Sequence, residues 1–447
     1  VRVIVVGAGE VGSYVAERLS REGHDVAVVE LDAFRLRQLS DDLDVLTVEG
    51  SGTHPATLRR AGVEQAELLV AVTSNDEVNL ISSLLAKSIG VPRTVVRIEA
   101  AELRGADAED VRLASGADLV IDPDAEAAAE VLELLDFPGA DEVAYMAGGE
   151  VIVIGARLPE NAPLIGRTLK DIGEEFEPDW DFVMGSIGRG EETIIPRRDH
   201  RLEPGDHVRV AMKRRARKMV AELLGLDRGS LTRIMLLGGG RTAEILAERL
   251  TSRGVQVVIV ERNPARARVL AENLDDTLVL EGDIADADLL EEADVGRYDM
   301  VVALTGEDDA NILACLYAKS VGAGETVAVV HRLALLSLLG QAGIDVALSP
   351  RTATANGVLR FVRGDVAAVA TFLQGDAEVI ELEIAPDSPA DGSLVKDLGL
   401  PKDVLIGAFV RDGKPQIARG RSRLRGRDHI VAFAMPGAVD EVHRVLG

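Results

Sequence analysis

The sequence predicts an α/β protein: a tandem repeat of a Rossmann-type, doubly wound parallel-sheet domain followed by a small α/β domain. Three observations predict it. Short runs of Val, Ile, Leu and Ala alternate with stretches of helical spacing, as in VRVIVV, EVGSYVAERLSREG and DVAVVE, the pattern of a parallel sheet covered on both faces. A glycine-rich turn, GAGEVG, joins the first strand to the first helix. The pattern then begins again near residue 232, where TRIMLLGGGRTAEILAERL answers VRVIVVGAGEVGSYVAERL.

Taken in order, VRVIVV is a buried strand, EVGSYVAERLSREG is a helix closed by Gly23, and DVAVVE is a second strand ending on Glu30. Strand and helix recur in DVLTVEG, HPATLRRAG, AELLVAVT, EVNLISSLLAKSIG and TVVRIEA. Such alternation closes only with right-handed crossovers. The second copy pairs Gly238 with Gly7, Gly240 with Gly9 and Glu261 with Glu30. Farther on, LEGDIA answers VEGSGT and GIDVALSPRTATANGVL echoes GADLVIDPDAEAAAEVL. Four domains are expected, at 1–135, 137–227, 231–362 and 365–447. The length of 447 residues agrees, since domains run ~100 to 200 residues.

Composition excludes several classes. The net charge of −26 opposes non-specific contact with nucleic acid or direct binding to anionic lipid. A surface rich in Asp and Glu with few Lys resembles that of proteins from organisms that keep high internal salt. The lone Cys315 excludes an intramolecular disulfide and a Cys-rich metal site. No apolar run approaches the ~18 residues needed to cross a bilayer, and no leader precedes the first strand, so a cytoplasmic location is expected. No metal site is expected.

The glycines have separate tasks in a dinucleotide fold. Gly7 allows the turn, Gly9 lets backbone approach a pyrophosphate, and Gly12 permits close helix packing. The following helix N-terminus offers unpaired N–H groups and a positive dipole end. Glu30 stands where a carboxylate accepts from both ribose hydroxyls and repels a 2′-phosphate, which favours NAD(H) over NADP(H). In the second loop Ala243 takes the third position, Arg241 faces phosphate, and Arg262 beside Glu261 blurs that preference. The second loop reads as a second, less secure site, with a degenerate structural copy as the alternative.

Other strand ends converge on each crevice. They carry Gly50, Ser51, Thr73, Ser74 and Arg97 in the first half, and Gly282, Asp283 and Thr305 in the second. Thr73 and Ser74 read alternatively as helix N-caps, EDDAN at 307–311 reads as a helix start with an interface cation site as the alternative, and a carboxylate would satisfy Arg97 as well as a phosphate would. The small domains show no dense His, Lys or Asp cluster, and His200 and His207 read as loop and strand-edge residues. With no proton donor in a substrate domain, the dinucleotide is sensed rather than consumed, and no enzyme is expected.

These motifs, together with LPENAPLIGRTLKDIG, IPRRDHRLEPGDHVRVA and APDSPADGSLVKDLG, resemble the TrkA family of regulatory subunits of Trk potassium uptake systems, across essentially the whole chain. The resemblance implies tandem RCK modules, each a nucleotide-binding KTN domain and a small C-terminal domain. It implies NAD(H) as ligand with ATP or ADP as competitors, a homotetrameric ring, and docking beneath a separate membrane potassium transporter. The alternatives are a regulator of another cation channel or antiporter, and a tandem NAD-dependent dehydrogenase. Carried onto this chain, the family's nucleotide residues are Gly7, Ala8, Gly9, Glu10, Val11, Glu30, Thr73, Ser74 and Arg97. In the second half they are Gly238, Gly239, Gly240, Arg241, Thr242, Glu261, Asp283, Leu304 and Thr305. Ser51 stands where the family usually has Asp, and RTA replaces its usual hydrophobic-Gly step.

Overall fold

The computed structural model describes residues 1–21, 23–100, 103, 108–178, 180–190, 192–226, 231–363, 369–370 and 377–446. The limits expected at 227, 365 and 447 fall outside them. The first sheet is built from β1 (Arg2–Val6), β2 (Asp25–Glu30), β3 (Leu46–Glu49), β4 (Leu68–Ala71), β5 (Arg93–Arg97) and β6 (Leu119–Ile121). All its strands are parallel, in the order β3-β2-β1-β4-β5-β6. The helices are α1 (Glu10–Arg21), α2 (Ala33–Asp42), α3 (Pro55–Arg60), α4 (Asp76–Ile89), α5 (Ala108–Ser115) and α6 (Pro123–Leu135). The order reverses between β1 and β4, which opens a crevice at their carboxyl ends.

A small antiparallel domain follows, with β7 (Glu142–Met146), β8 (Val151–Arg157), α7 (Leu169–Glu175), β9 (Phe182–Arg189), β10 (Glu192–Ile194), β11 (His207–Lys213) and α8 (Arg217–Leu224). The second nucleotide-type domain repeats the first. Its elements are β12 (Arg233–Leu237), α9 (Arg241–Thr251), β13 (Gln256–Glu261), α10 (Pro264–Asn273), β14 (Thr277–Glu281) and α11 (Ala287–Glu292), then β15 (Met300–Ala303), α12 (Asp308–Ser320), β16 (Glu325–Val329), α13 (Leu336–Ala342), β17 (Val346–Leu348) and α14 (Pro350–Arg363). Its strand order, β14-β13-β12-β15-β16-β17, is the same. The last domain holds β18 (Val369–Ala370), β19 (Glu378–Glu383), β20 (Val404–Arg411), β21 (Lys414–Ile417), β22 (His429–Ala434) and α15 (Val439–Leu446).

The halves exchange helices. Ala128, Val131, Leu132 and Leu134 of α6 are buried in one core with Ile234, Leu246 and Val302 of the second nucleotide domain. Reciprocally, Ala355, Val358, Leu359 and Val362 of α14 join Val3, Val15 and Val70 of the first. Each helix therefore covers the sheet of the other copy rather than the one that precedes it. The small domains stack sheet on sheet, and Phe433 is fully buried between them with Val151, Val153 and Ala211.

Candidate nucleotide site

At the end of β1 the chain turns on Gly7, whose φ of +104° favours glycine. The turn is also tight, because a Cβ there would lie 3.0 Å from the Thr73 Cγ2 and 3.1 Å from its amide nitrogen. At Gly12 a Cβ would sit 1.9 Å from the Gly7 carbonyl oxygen, so α1 packs directly on the loop backbone. Gly9 is different in kind. A Cβ there would meet only Arg35 Nη1, at 3.9 Å. Its missing side chain leaves open space before the α1 N-terminus, the geometry that admits a phosphate. Ala8 and Val11 are buried, so they offer the crevice backbone only.

Glu30 ends β2 beside this loop. Its Oε2 accepts from the Ala8 amide at 2.7 Å, and Oε1 accepts from those of Leu31 at 2.7 Å and Asp32 at 3.1 Å. The carboxylate thus fixes the glycine loop. Oε1 is filled by its two amides, and Oε2 keeps one acceptor site for a hydroxyl. Thr73 donates through its amide and hydroxyl to Asn79 Oδ1, at 2.9 and 2.7 Å. The Asn79 amide group donates in turn to the carbonyls of Thr73 and Arg97, at 3.0 and 2.9 Å. Fully buried Asn79 therefore ties the ends of β4 and β5 together. Asn75, rather than Thr73 or Ser74, caps α4 through the Val78 amide at 2.8 Å. Ser74 is exposed at the rim. The Ser51 hydroxyl lies 2.8 Å from that of Thr53 within its own turn. Arg97 pairs with Glu99, while its buried Nε has no partner among the described residues.

The second crevice keeps the plan and changes the details. Gly238 has φ +111°, and a Cβ on it would come 2.8 Å from Thr305 Cγ2. Gly240 has no atom within 4 Å of the Cβ position, so this loop too leaves open space. Gly239 replaces Ala8 because a Cβ would lie 2.6 Å from Leu270 Cδ1. Ala243 carries a buried methyl where Gly12 admits none, so α9 and α1 do not sit alike over their loops. Glu261 accepts from Gly239 and Asn263 amides, each at 2.7 Å. Thr305 and Asn311 repeat the Thr73–Asn79 bonds, with Asn311 reaching the Val329 carbonyl at 2.8 Å. Leu304 is buried, and Asp283 accepts from the Ala285 amide at 2.9 Å in its own turn.

Several site residues escaped sequence reasoning. Arg266 donates to the Gly239 carbonyl at 2.8 Å and to Glu244 at 3.0 Å, and Arg35 holds the matching place over the first loop. Asn79 and Asn311 carried one legible signal, the same Thr-to-Asn spacing in both copies. Asp308, in the EDDAN stretch, starts α12 and accepts from the amides of His331 and Arg332 at 2.8 and 3.0 Å. Burial pushes its carboxyl upward, but these bonds and the two side chains outweigh burial and hold it at about 2.

Each loop also touches the opposite half. Arg351, at the start of α14, pairs with Glu10 and donates to the His331 carbonyl at 2.6 Å. Asp124, at the start of α6, accepts from the Thr242 hydroxyl at 2.8 Å. Thr242 therefore points its hydroxyl at the other half. The first crevice draws an arginine from across the molecule, while the second has Arg241 on its own loop, 3.9 Å from Glu244.

The small domain corrects one expectation. His207 is buried, and its Nε2 lies 2.9 Å from Asp141. Arg209 donates to both oxygens of Glu142, at 2.8 and 3.0 Å. Burial raises the Glu142 carboxyl, and the Arg209 guanidinium works against the rise. These groups form a buried ionic cluster that residues scattered over 141–209 did not reveal in the sequence.

Comparison with known proteins agrees with this architecture. The TrkA-N domain model matches residues 3–131 and 234–350, and the TrkA-C domain model matches 153–225 and 379–447. The chain belongs to the TrkA family. It is 35% identical over 440 residues to the Trk system potassium uptake protein TrkA of Halomonas elongata, covering 97% of this chain and 96% of that one. A TrkA homolog of Archaeoglobus fulgidus is 34% identical and covers both chains completely. Among solved structures, the GsuK RCK domain covers 100% of this chain and 94% of its own, with a TM-score of 0.58 at 18% identity. The GsuK channel bound to NAD gives the same TM-score over 78% of that chain. At such identity these likenesses speak for the fold alone.

Proposed function

We propose that this TrkA-family chain is a nucleotide-sensing regulatory subunit that gates a separate membrane potassium transporter. One observation carries the reading: each glycine loop is joined at its helix start to a helix of the opposite half, through Glu10 with Arg351 and Thr242 with Asp124. A ligand seated in a crevice therefore acts on the contact between halves. The full-length relatives named for potassium uptake support the transport role.

The residues present fit NAD(H). Gly9 leaves the space that a pyrophosphate needs, the α1 amides face it, and Glu30 stands at the ribose position. When bound, the dinucleotide supplies two phosphate charges. Against them the first crevice sets Arg35 and Arg351, and drawing Arg351 from Glu10 toward phosphate would rearrange α14 on α1. The second crevice, with Arg241 and Arg266, suits a weaker dinucleotide or ATP or ADP. A ligand shifts such an equilibrium only by its differential affinity for the two arrangements.

Assembly follows from exposed apolar side chains. Ile81 and Leu84 on α4 are 43% and 51% exposed, and Leu313 on α12, the counterpart of Ile81, is 66% exposed. Matched apolar faces on both copies suit stacking of chains into a homotetrameric ring. No described helix is long and apolar enough to cross a membrane, so the reading places this subunit at the membrane through its transporter partner.

Gly9→Val tests the reading, because it puts a side chain into the phosphate space at a position where a Cβ meets only Arg35 Nη1, at 3.9 Å. The variant should fold, associate with its transporter, lose NADH binding at the first site and lose the NADH response of potassium uptake. An unchanged NADH response, with first-site occupancy shown to be lost, would overturn it.

A further inference from the structure

The two small domains correspond residue for residue across the loop that precedes their last long strand. Arg411 grips Asp428 at 2.8 Å as Arg189 grips Asp206 at 2.7 Å. Arg423 donates to the Gly392 carbonyl as Arg201 donates to that of Gly166. On this framework three positions have turned basic: Arg421, Arg425 and Arg427 stand where the first copy has Asp199, Glu203 and Gly205. The net charge goes from zero over 197–206 to +4 over 419–428, inside a chain of −26.

These arginines are not absorbed by the fold. Arg421, Arg423, Arg425 and Arg427 are exposed, and among the described residues no acid pairs with 421, 425 or 427. Glu203 in the first copy takes part in an ion pair with Arg189 at 2.7 Å, an interaction that Arg425 cannot make. Arg427 sits at φ +71°, where the first copy uses Gly205 at +82°. A side chain held in that region costs backbone energy and asks for a compensating use.

The same half carries the complementary surface. Residues 275–294, along the edge strand β14 and α11, contain nine Asp and Glu and no Lys or Arg, and all nine are exposed. Their counterparts at 43–62 carry no net charge, with Arg59 and Arg60 in place of Glu291 and Glu292. Asp294, at φ +52°, again replaces a glycine, Gly62 at +82°. Charging an edge strand blunts it against mispairing, yet the neutral first copy needs no such charge.

We propose that the arginine loop 419–427 docks on the acidic segment 275–294 of a second copy of this chain. Among the described residues no ion pair joins the two within one chain. An anionic bilayer is the weaker occupant, because the rest of the chain is repelled by it. The contact is head to tail, so it propagates until it closes on itself. It is separate from the apolar faces of α4 and α12, and it places arginines beside Asp283 at the mouth of the second crevice.

The test uses full-length chains and residues that the other copy already carries at the same places. One variant is Arg421→Asp with Arg425→Glu, and the other is Glu291→Arg with Glu292→Arg. Sedimentation velocity over a KCl series should show salt-labile association in the wild type, weakened roughly tenfold by either pair. Combining both pairs in one chain should recover association above either pair alone. Arg427→Gly, which relieves the backbone, should weaken association while raising the melting temperature. The proposal falls if the wild type shows no salt-labile association, if either pair associates like the wild type, or if the combined chain is as weak as the pairs. It falls equally if the loop pair loses binding to phosphatidylglycerol vesicles while self-association is untouched.

Discussion

Glu30 shows how one side chain serves two ends. A carboxylate at the end of β2 is read from sequence as a ribose partner, and it also holds the Ala8 amide at 2.7 Å. Its loss should therefore act on loop and ligand together. Glu30→Gln keeps an acceptor for the loop but weakens the charge-assisted bonds, which contribute about 1.5 to 3 kcal/mol each. Calorimetry should show NADH binding weakened by roughly tenfold or more, with discrimination against NADPH reduced. Equal weakening of NADH and NADPH would assign Glu30 to the loop alone. Asn79 and Asn311 make the same point from inside, since each satisfies two strand ends with one buried amide.

At the scale of elements, contacts between copies hold the fold together. The small domains meet through β22, where the Phe433 ring lies so near Gly185 that a Cβ there would be 2.2 Å from Cε1. Gly407, on β20, leaves only 2.9 Å on the other side. Phe433→Ala should cost about 3 to 5 kcal/mol through lost burial and an unfilled cavity. Gly185→Ala should cost about 1 to 3 kcal/mol by overpacking. Denaturant midpoints measure both, and the double variant should lose less than the sum, because the smaller side chain relieves the clash. Additive losses would mean that the ring and the glycine do not act on each other.

Over the whole molecule, charge is unevenly spread. Residues 1–135 carry a net −13, against −3 for 365–447. Self-repulsion should destabilise the chain at ~0.01 M salt, where the Debye length is ~30 Å, and screening should relieve it well before ~1 M. The melting temperature should therefore rise with KCl, even as the proposed arginine contact weakens. A flat profile would contradict the reading of the acidic surface as an adaptation to salt.

Sequence by itself determined what depends on near neighbours along the chain. The alternation of aliphatic strands with helices, the turn at Gly7, the packing glycine at Gly12, the acid at Glu30 and their second appearance all rest on local periodicity and backbone sterics. The same reading expected helix-start roles around 307–311, and α12 begins there. Tertiary structure decided which copy each element serves. α6 and α14 have apolar faces that would cover either of two nearly equivalent sheets, and nothing local distinguishes the sheets. Arg351 reaches Glu10 from 341 residues away only because of that exchange. The buried cluster of Asp141, Glu142, His207 and Arg209 likewise forms from residues that meet only when β7, β8 and β11 pair. Periodicity reports which face of an element is buried; the partner it is buried against is settled by packing between distant segments.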